Sequence, residues 1–428
     1  MQPMIYIGFM LSLTNVMRLD KGQYKLVRAL CRYSKNLYNQ GLYQTRQYFF
    51  ENNAFLQYPK NYHLCKESEN YKMLQANTAQ QTLKFVERGM RSWFGLMKLY
   101  KKGDLPERPS IPHYLPKDGL FPVVFPKPAF SVRKGIVHLG VSKAIIKDFP
   151  DAHRQLCFTL PKPLEGKEIN EIHILSLYGG LYFKIKYCYE SENEIVELDS
   201  EKYLSIDLGL SNFATFVDNA TGTATIIDGM YVKSLNQWYN KEDARLQAIK
   251  DRAGIEYCTE KQYRLTWRRA NRLNEFMNRA VNHIIKHCIA NKIGNVLIGE
   301  LKGIKQGINH GRAQNQSFVT LPYGKFKAKL ESKCERYGIK YKLVSEAYTS
   351  RTDALAFDEI KDQPYGKSRR TKRGLYQSIT GTLVNADVNG ALNILRNVAG
   401  DSPAKEIISS GLVNRPKRIR IAFEQAPA

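Results

Sequence analysis

Residues 203–217 read YLSIDLGLSNFATFV, and this stretch determines the fold class that we predict. It holds two runs of β-forming residues with Gly209 and Asn212 between them, and the first run ends in Asp207. A third run of the same type occupies residues 223–227. We therefore predict three consecutive strands joined by short turns, with an acid where the first strand ends.

The second half of the chain continues with alternating helix and strand patterns. Apolar spacings of three and four predict helices, and short apolar runs predict buried strands. Three strands followed by such an alternation is the element order of an RNase H-like fold. The predicted elements are a long helical stretch over about 242–290, a strand at 296–299, a helix at 323–337, a strand at 339–344 and a helix at 387–398.

The first half combines a helical block with short strands. We predict a strand at 5–13 and helices at 21–50 and 78–100, while seven prolines exclude helix from residues 105–128. Short β-like runs follow, and the Gly179–Gly180 pair indicates a β-hairpin. The predicted fold class is α+β and multidomain, an RNase H-like α/β domain preceded by a small β-barrel-like domain with a helical insertion.

The charge of the chain indicates a polyanionic partner. The 428 residues include 65 Lys and Arg against 40 Asp and Glu, a net charge of +25. Hydrophobic residues make up 43% and aromatic residues 11%, which excludes a disordered chain. The longest apolar stretch is too short for a membrane span and lacks the basic start of a signal peptide, so no membrane partner is expected. A merely basic, soluble surface is the alternative.

The cysteines do not form a metal or disulfide framework. All seven lie 30 or more positions apart, so there is no CxxC pair, and isolated thiols fit a reducing cytoplasm. His283 and His287 share a predicted helix face beside Cys288, a spacing compatible with zinc. Ordinary packing is the favoured interpretation, because the acid of an HExxH motif is missing.

Three acids stand where predicted elements end or begin. Asp207 and Glu300 each end a strand, and Asp387 opens the last helix. Side by side they would form a cluster of negative charge that is unfavourable without cations. Hard oxygen ligands suit Mg²⁺ or Mn²⁺, and two such ions can hydrolyse a phosphodiester. For Asp387 alone, stabilising the helix start is an equal alternative, and Glu300 alone could be a surface acid.

Five motifs carry a family resemblance: IDLGLSNFAT at 206–215, VLIGELKGIK at 296–305, LPYGKF at 321–326, EAYTSRT at 346–352 and NADVNGALNI at 385–394. In this order they resemble the TnpB family of transposon-encoded RNA-guided DNA endonucleases, whose RuvC-like nuclease domain is related to compact type V CRISPR effectors. Residues 77–94 of the first half are similar more loosely. The resemblance implies that Asp207, Glu300 and Asp387 are the catalytic residues and hold two Mg²⁺ or Mn²⁺ ions.

One segment departs from the family pattern. TnpB-like proteins commonly carry a four-cysteine zinc ribbon between the EAYTS motif and the last helix, but here that interval has neither cysteine nor histidine. We therefore expect no Cys-ligated zinc in this lid. Residues 361–373 instead hold six basic residues and one acid, which predicts a mobile loop that reaches for phosphate. A disordered basic surface loop is the alternative.

An acidic run between residues 190 and 201 indicates a domain boundary near residue 198. We expect a split, β-rich, wedge-like nucleic-acid-binding domain, a helical recognition insertion, a RuvC-like nuclease domain with a lid or target-loading segment, and a basic tail that can be disordered. The β-rich domain is predicted to comprise residues 1–15 and 105–197, and the helical insertion residues 16–104. The nuclease domain is predicted at 198–400, with its lid at 346–384, and the basic tail at 401–428.

Basic residues recur at helical spacing on two predicted helices, and others cluster in the lid. We expect them to contact nucleic acid backbone, with ordinary solvated helix faces as the alternative. The candidates are Lys84, Arg88, Arg91, Arg264, Arg268, Arg272, Arg351, Lys367, Arg369, Arg370, Lys372 and Arg373.

The resemblance implies an RNA-guided DNA endonuclease of the prokaryotic cytoplasm, associated with the nucleoid. Its partners would be a guide RNA and double-stranded target DNA flanked by a short motif that the N-terminal half reads. A guided DNA-binding repressor without cleavage is one alternative. A guide-independent RNase H-like nuclease or transposition factor is the other.

Overall fold

The structure is a computed structural model that describes residues 9–149, 155–191, 194, 196–300, 322–361, 370–372 and 374–421. The chain divides into two compact units, Met1–Glu192 and Asn193–Ala428, which are described separately. In the part of the chain that these ranges cover, no helix has the length and apolar character of a membrane span.

Four helices form the helical block of unit 1. The predictions for 21–50 and 78–100 are confirmed by α1 and α4. A capping box at Asp20 and Gln23 starts α1, and the predicted apolar stripe of α4 is buried at Leu83, Val86 and Met90. The bounds are α1 (Lys21–Asn52), α2 (Tyr58–Cys65), α3 (Glu69–Lys72) and α4 (Ala76–Lys101).

Two antiparallel sheets complete unit 1. The hairpin predicted at Gly179–Gly180 is confirmed, because both glycines have positive φ and join β6 to β7. The predicted strand at 5–13 is found as β1, with residues 5–8 outside the described ranges. In spatial order the larger sheet contains β1 (Phe9–Val16), β7 (Tyr182–Ser191), β6 (Ile169–Leu177) and β2 (Val123–Pro126), and the smaller contains β3 (Phe130–Arg133), β4 (Ile136–Gly140) and β5 (Gln155–Thr159), which α5 (Lys143–Asp148) precedes.

A six-stranded mixed sheet organises unit 2. The predicted strands at 203–207, 213–217 and 223–227 form an antiparallel meander, and the two later strands add to it in parallel. In spatial order the sheet contains β12 (Lys340–Ser345), β11 (Ile293–Glu300), β8 (Asp199–Leu208), β9 (Asn212–Asp218), β10 (Ala224–Asp228) and β16 (Lys417–Ile419).

Helices cover both faces of this sheet. Alternate residues of β11 enter different cores, with Val296 and Ile298 on one side and Leu297 on the other. The first core includes side chains of α7 and α8, and the second includes those of α9 and α10. The bounds are α6 (Met230–Arg252), α7 (Glu260–Ala290), α8 (Tyr323–Arg336), α9 (Ala386–Ala399) and α10 (Asp401–Ser409).

Three sequence-based expectations need correction. The single helical stretch over 242–290 is wrong, because Gly254 adopts φ +63° after α6 and a capping box at Thr259 starts α7. Disorder of the tail 401–428 is wrong for its described part, which forms α10 and β16. The mobile loop predicted at 361–373 lies mostly outside the described residues, but its part at Arg370–Lys372 forms the strand β13. This strand joins β14 (Leu375–Gln377) and β15 (Leu383–Asn385) in a three-stranded antiparallel sheet.

Candidate active site

Asp207 and Glu300 lie near the carboxyl ends of neighbouring parallel strands. Ile206 on β8 pairs with Ile298 on β11, so Asp207 is level with Gly299 and Glu300 follows one residue later. Both acidic side chains are half-buried. The strand pairing therefore brings these two predicted site residues to the same edge of the sheet.

Asp387 lies in the first turn of α9 but does not cap that helix. Oδ1 of Asn385 accepts hydrogen bonds from the backbone amides of Asp387 and Val388, at 2.9 and 3.4 Å. Oδ2 of Asp387 instead accepts a hydrogen bond from Nδ2 of Asn212, on β9, at 2.7 Å. Capping, the alternative considered for Asp387, is thus the role of Asn385, and Asp387 faces the strands.

A close approach between α9 and β8 places Asp387 near Asp207. Oγ of Ser205 donates to the carbonyl oxygen of Ala391 over 2.7 Å and ties helix to strand. A Cβ added to Gly390, one turn after Asp387, would lie only 3.0 Å from Oδ2 of Asp207. A glycine at position 390 therefore leaves the space that the Asp207 carboxylate occupies.

Two side chains of α8 contact the backbone beside these acids. The hydroxyl of Tyr323 donates to the carbonyl oxygen of Gly209 at 2.9 Å, and Nζ of Lys327 donates to that of Gly299. Burial raises the pKa of Tyr323, and the charges of Asp207, Glu346 and Asp387 raise it further. Burial lowers the pKa of Lys327, against the opposing effect of nearby carboxylates.

Glu346 is a fourth carboxylate, which the sequence analysis did not select. It follows β12, and its side chain lies over Gly299, where an added Cβ would collide with Oε1 of Glu346. Burial raises its pKa to about 7, with the charge of Lys327 acting in the opposite direction. The sequence did offer a signal for selecting Glu346, because it is the first residue of the EAYTSRT motif.

The donor set suits a hard divalent cation. Asp207, Glu300 and Asp387 offer only carboxylate oxygens, the ligands that Mg²⁺ and Mn²⁺ prefer. As their side chains are placed, no three His, Cys, Asp or Glu residues in the described ranges are grouped so that they could hold a metal ion. The fold brings Asp207 and Asp387 together most directly, and Glu300 is contributed by the adjacent strand.

Comparisons with known proteins identify the family. Residues 186–305 match the family OrfB_IS605, described as a probable transposase, and residues 323–394 match the Cas12f1-like TNB domain. The TnpB-like protein ORF457 of Acidianus two-tailed virus is 26% identical over 425 residues, covering 90% of this chain and 87% of the relative. The chain belongs to the TnpB family. TnpB proteins are a family of RNA-guided nucleases.

The fold agrees with this membership. A cryo-EM structure of a Cas12f1–sgRNA–target DNA complex contains a chain that superposes with a TM-score of 0.62 at 17% identity, covering 88% of this chain and 83% of the other. This TnpB-family chain therefore has the α+β, multidomain fold that was predicted.

The cysteine-free lid of this TnpB-family chain is held by side chains of α9. Nδ2 of Asn389 donates to the carbonyl of Thr352 and Oδ1 accepts from the amide of Ala354, at 2.8 and 3.0 Å. One turn later Asn393 donates to the carbonyl oxygens of Thr349 and Thr352, both at 2.8 Å. These buried amides fasten the lid backbone directly to the helix that carries Asp387.

A buried acid, Asp353, connects two separate parts of the lid backbone. Asp353 is only 2% exposed, and its Oδ1 accepts from the amide of Leu355 while Oδ2 accepts from that of Ile379, at 3.1 and 2.8 Å. The hydroxyl of Tyr376, on β14, donates to the carbonyl oxygen of Arg351 over 3.1 Å. The described part of this cysteine-free lid is thus stabilised by hydrogen bonds.

The basic side chains predicted to bind nucleic acid lie on two surfaces and in the lid. On α4 Arg88 and Arg91 are exposed, and Arg91 pairs with Glu87. On α7 all three candidates are exposed, and Arg264 pairs with Glu260. The three α7 candidates are Arg264, Arg268 and Arg272. Lys84 on α4 and Arg351 in the lid are half-buried. The remaining lid candidates are outside the described residues, either entirely (Lys367, Arg369 and Arg373) or in their side chains (Arg370 and Lys372).

The histidine candidate belongs to a structural contact. Nε2 of His287 lies 2.9 Å from Oδ2 of the fully buried Asp218, at the end of β9. Burial lowers the pKa of His283 and so favours the neutral form of its ring. The contact between His287 and Asp218 joins α7 to the sheet, in agreement with ordinary packing.

Proposed function

We propose that this protein is an RNA-guided DNA endonuclease in which Asp207, Glu300 and Asp387 hold two Mg²⁺ or Mn²⁺ ions. The observation that carries the proposal is the placement of Asp207 beside Gly390 of α9, one turn from Asp387, with Glu300 on the next strand. The three acids belong to three separate elements, β8, β11 and α9, and the strand register supports a common edge for Asp207 and Glu300.

When bound, such ions activate water and stabilise the leaving oxygen in phosphodiester hydrolysis. The protein's own residues orient the ligands. Asn212 donates to one oxygen of Asp387 and leaves Oδ1 for other partners, and Ser205 keeps α9 against β8. Fixed carboxylates reduce the reorganisation that cation binding requires.

The proposed partners are a guide RNA and a double-stranded target. A net charge of +25 supports binding to nucleic acid backbone, and the structural relative named above is a complex with sgRNA and target DNA. Base pairing with the guide would supply sequence specificity. In this proposal the exposed faces of α4 and α7 hold the backbone, and the N-terminal half reads a short adjacent motif.

The test uses the whole chain purified from cells that carry its native locus. Co-purified RNA is sequenced, and plasmids with the matching target flanked by randomised positions are incubated with the complex and Mg²⁺. We expect RNA-dependent cleavage that Asp207→Asn and Glu300→Gln abolish while DNA binding persists. Glu201→Gln, an exposed acid at the opposite end of β8, is the matched control and should cut normally.

The other outcomes separate the alternatives. Equal cutting by Asp207→Asn would overturn the site assignment. Binding of matched DNA without cleavage by the wild type would identify a guided repressor, and cleavage without co-purified RNA would identify a guide-independent nuclease.

A further inference from the structure

The helix α8 carries none of the three proposed metal ligands, yet it contacts the backbone beside two of them. The hydroxyl of Tyr323 bonds to the carbonyl oxygen of Gly209, two residues after Asp207. Nζ of Lys327 bonds to the carbonyl oxygen of Gly299, one residue before Glu300. Tyr323 and Lys327 are four positions apart, so they lie on the same helix face.

These bonds occur where the sheet no longer joins the two strands. The β8–β11 ladder ends at the pair of Ile206 and Ile298, before either acid. Beyond that point β8 continues to pair only with β9, and β11 only with β12. In the described residues, two hydrogen bonds from α8 therefore connect the backbone around Asp207 with that around Glu300.

The helix is itself well fixed. Phe326 is fully buried and packs edge-to-face on Phe213 with ring centroids 5.0 Å apart. The ring of Tyr323 stacks on the same phenylalanine at 6.0 Å. A rigid helix with two anchored donors can hold two strand ends at a constant separation.

Glu346 limits the freedom of the same backbone. Its side chain fills the space above Gly299, and the carboxylates of Glu346 and Glu300 both act on the Lys327 ammonium. The Lys327 ammonium is thus influenced by both carboxylates while it bonds to the carbonyl oxygen of Gly299.

We propose that Tyr323 and Lys327 are positioning residues that fix the separation of the Asp207 and Glu300 carboxylates and so set the affinity of the site for divalent cations. This inference rests on the proposed function, because it assumes that those acids bind the cations.

The test compares Tyr323→Phe and Lys327→Met with Lys329→Met. Lys329 is a matched control, since it lies on the same helix but donates to Oδ1 of Asn278 on α7, at 2.7 Å. Mn²⁺ binding to the intact RNA complex is measured by calorimetry and electron paramagnetic resonance. The Mg²⁺ concentration for half-maximal cleavage and the rate at saturating Mg²⁺ are measured separately.

We expect both variants to weaken Mn²⁺ binding and raise the half-maximal Mg²⁺ concentration about tenfold, as loss of an outer-shell partner typically does. The rate at saturating Mg²⁺ should recover most of its wild-type value, and Lys329→Met should match the wild type. Tyr323→Phe removes only a hydroxyl, so it decides the matter if Lys327→Met fails to fold.

Unchanged Mn²⁺ affinity in Tyr323→Phe would overturn the inference while leaving the proposed function intact, provided that Asp207→Asn weakens binding. If Asp207→Asn also binds Mn²⁺ as the wild type does, the proposed function fails as well.

Discussion

Asn212 donates a hydrogen bond from Nδ2 to Oδ2 of Asp387 over 2.7 Å, and the other end of the same amide is held by the C-terminal strand. Arg418 on β16 donates to Oδ1 of Asn212 at 2.9 Å and to Oδ2 of Asp228 at 3.0 Å. The arginine thus fixes the orientation of the amide, with its donor toward Asp387. A strand residue 206 positions after Asn212 in the sequence therefore supports the candidate active site.

The first prediction concerns the two hydrogen bonds that connect Arg418 to Asn212 and Asn212 to Asp387. In Asn212→Asp a second carboxylate would replace the donor and face Asp387, so the negative charge at the site would increase without a compensating hydrogen bond. We expect DNA cleavage to fall about tenfold or more, as for other partners of metal ligands. Single-turnover cleavage at fixed Mg²⁺ measures the effect.

Arg418→Met tests the hydrogen bond from Arg418 to Oδ1 of Asn212. It leaves the Asn212 donor in place but releases the amide to rotate, so a smaller loss is expected than for Asn212→Asp. Arg415→Met, a basic residue shortly before β16, is the control. Equal activity of Asn212→Asp and the wild type would contradict the role of the hydrogen bond.

The second prediction concerns Gly390. A methyl group there would lie 3.0 Å from Oδ2 and 3.3 Å from Cγ of Asp207, so the Asp207 side chain must move. We expect Gly390→Ala to lose most cleavage activity while thermal unfolding shows a folded protein. Gly95→Ala is the control, because nothing lies within 4 Å of its added Cβ, and a helix-interior exchange of this kind stabilises by about 1 kcal/mol. Full activity in Gly390→Ala would mean that Asp207 need not hold its position.

The positions of Asp207 and Glu300 could be predicted because each acid ends an apolar run, and parallel strands bring such ends to one edge. Local sequence also contained the hairpin at Gly179–Gly180. These features depend on neighbouring residues, which patterns of hydrophobicity and turn residues report directly.

The supporting residues depend on contacts that local patterns do not contain. Arg418 meets Asn212 across 206 positions of sequence, and Asn389 binds a loop 35 positions before it. The side chain of Glu346 has room over β11 because the residue beside it there is Gly299. Long-range polar contacts of this kind carry no periodicity, so the sequence alone could not place them.

The third prediction follows from the pKa of Glu346, which burial raises to about 7. Between the ordinary pKa of a glutamate and about pH 7, Glu346 is therefore protonated in the folded protein but ionised in the unfolded chain. The protonated acid contributes stability that is fully present at low pH and is lost as the pH rises to about 7 and beyond. Between pH 5 and 8 this loss is about 2–3 kcal/mol.

Urea unfolding of the wild type and Glu346→Gln at several pH values, in EDTA, isolates this contribution, because the other titrating groups cancel in the difference. We expect the wild type to lose stability relative to Glu346→Gln as the pH rises, with a plateau above pH 8. A difference that stays constant across this range would show that Glu346 titrates normally.

The fourth prediction concerns the lid. Asn389→Ala would leave the buried carbonyl of Thr352 with one donor fewer and the amide of Ala354 without its acceptor. Each unpaired buried group costs about 1–3 kcal/mol, so the lid should open more often while the sheet remains intact. Hydrogen exchange should therefore accelerate at residues 349–358, and zinc chelators should leave the wild type unaffected because the lid lacks thiols.

Asn397→Ala provides the comparison for this prediction. Asn397 lies two turns further along α9, is exposed, and donates over a longer 3.4 Å to Ser345. Its removal should leave exchange in the lid unchanged. If Asn389→Ala and Asn397→Ala behave alike, the Asn389 amide does not stabilise the lid, because of these two residues Asn389 is the one that bonds to the backbone of residues 352–354.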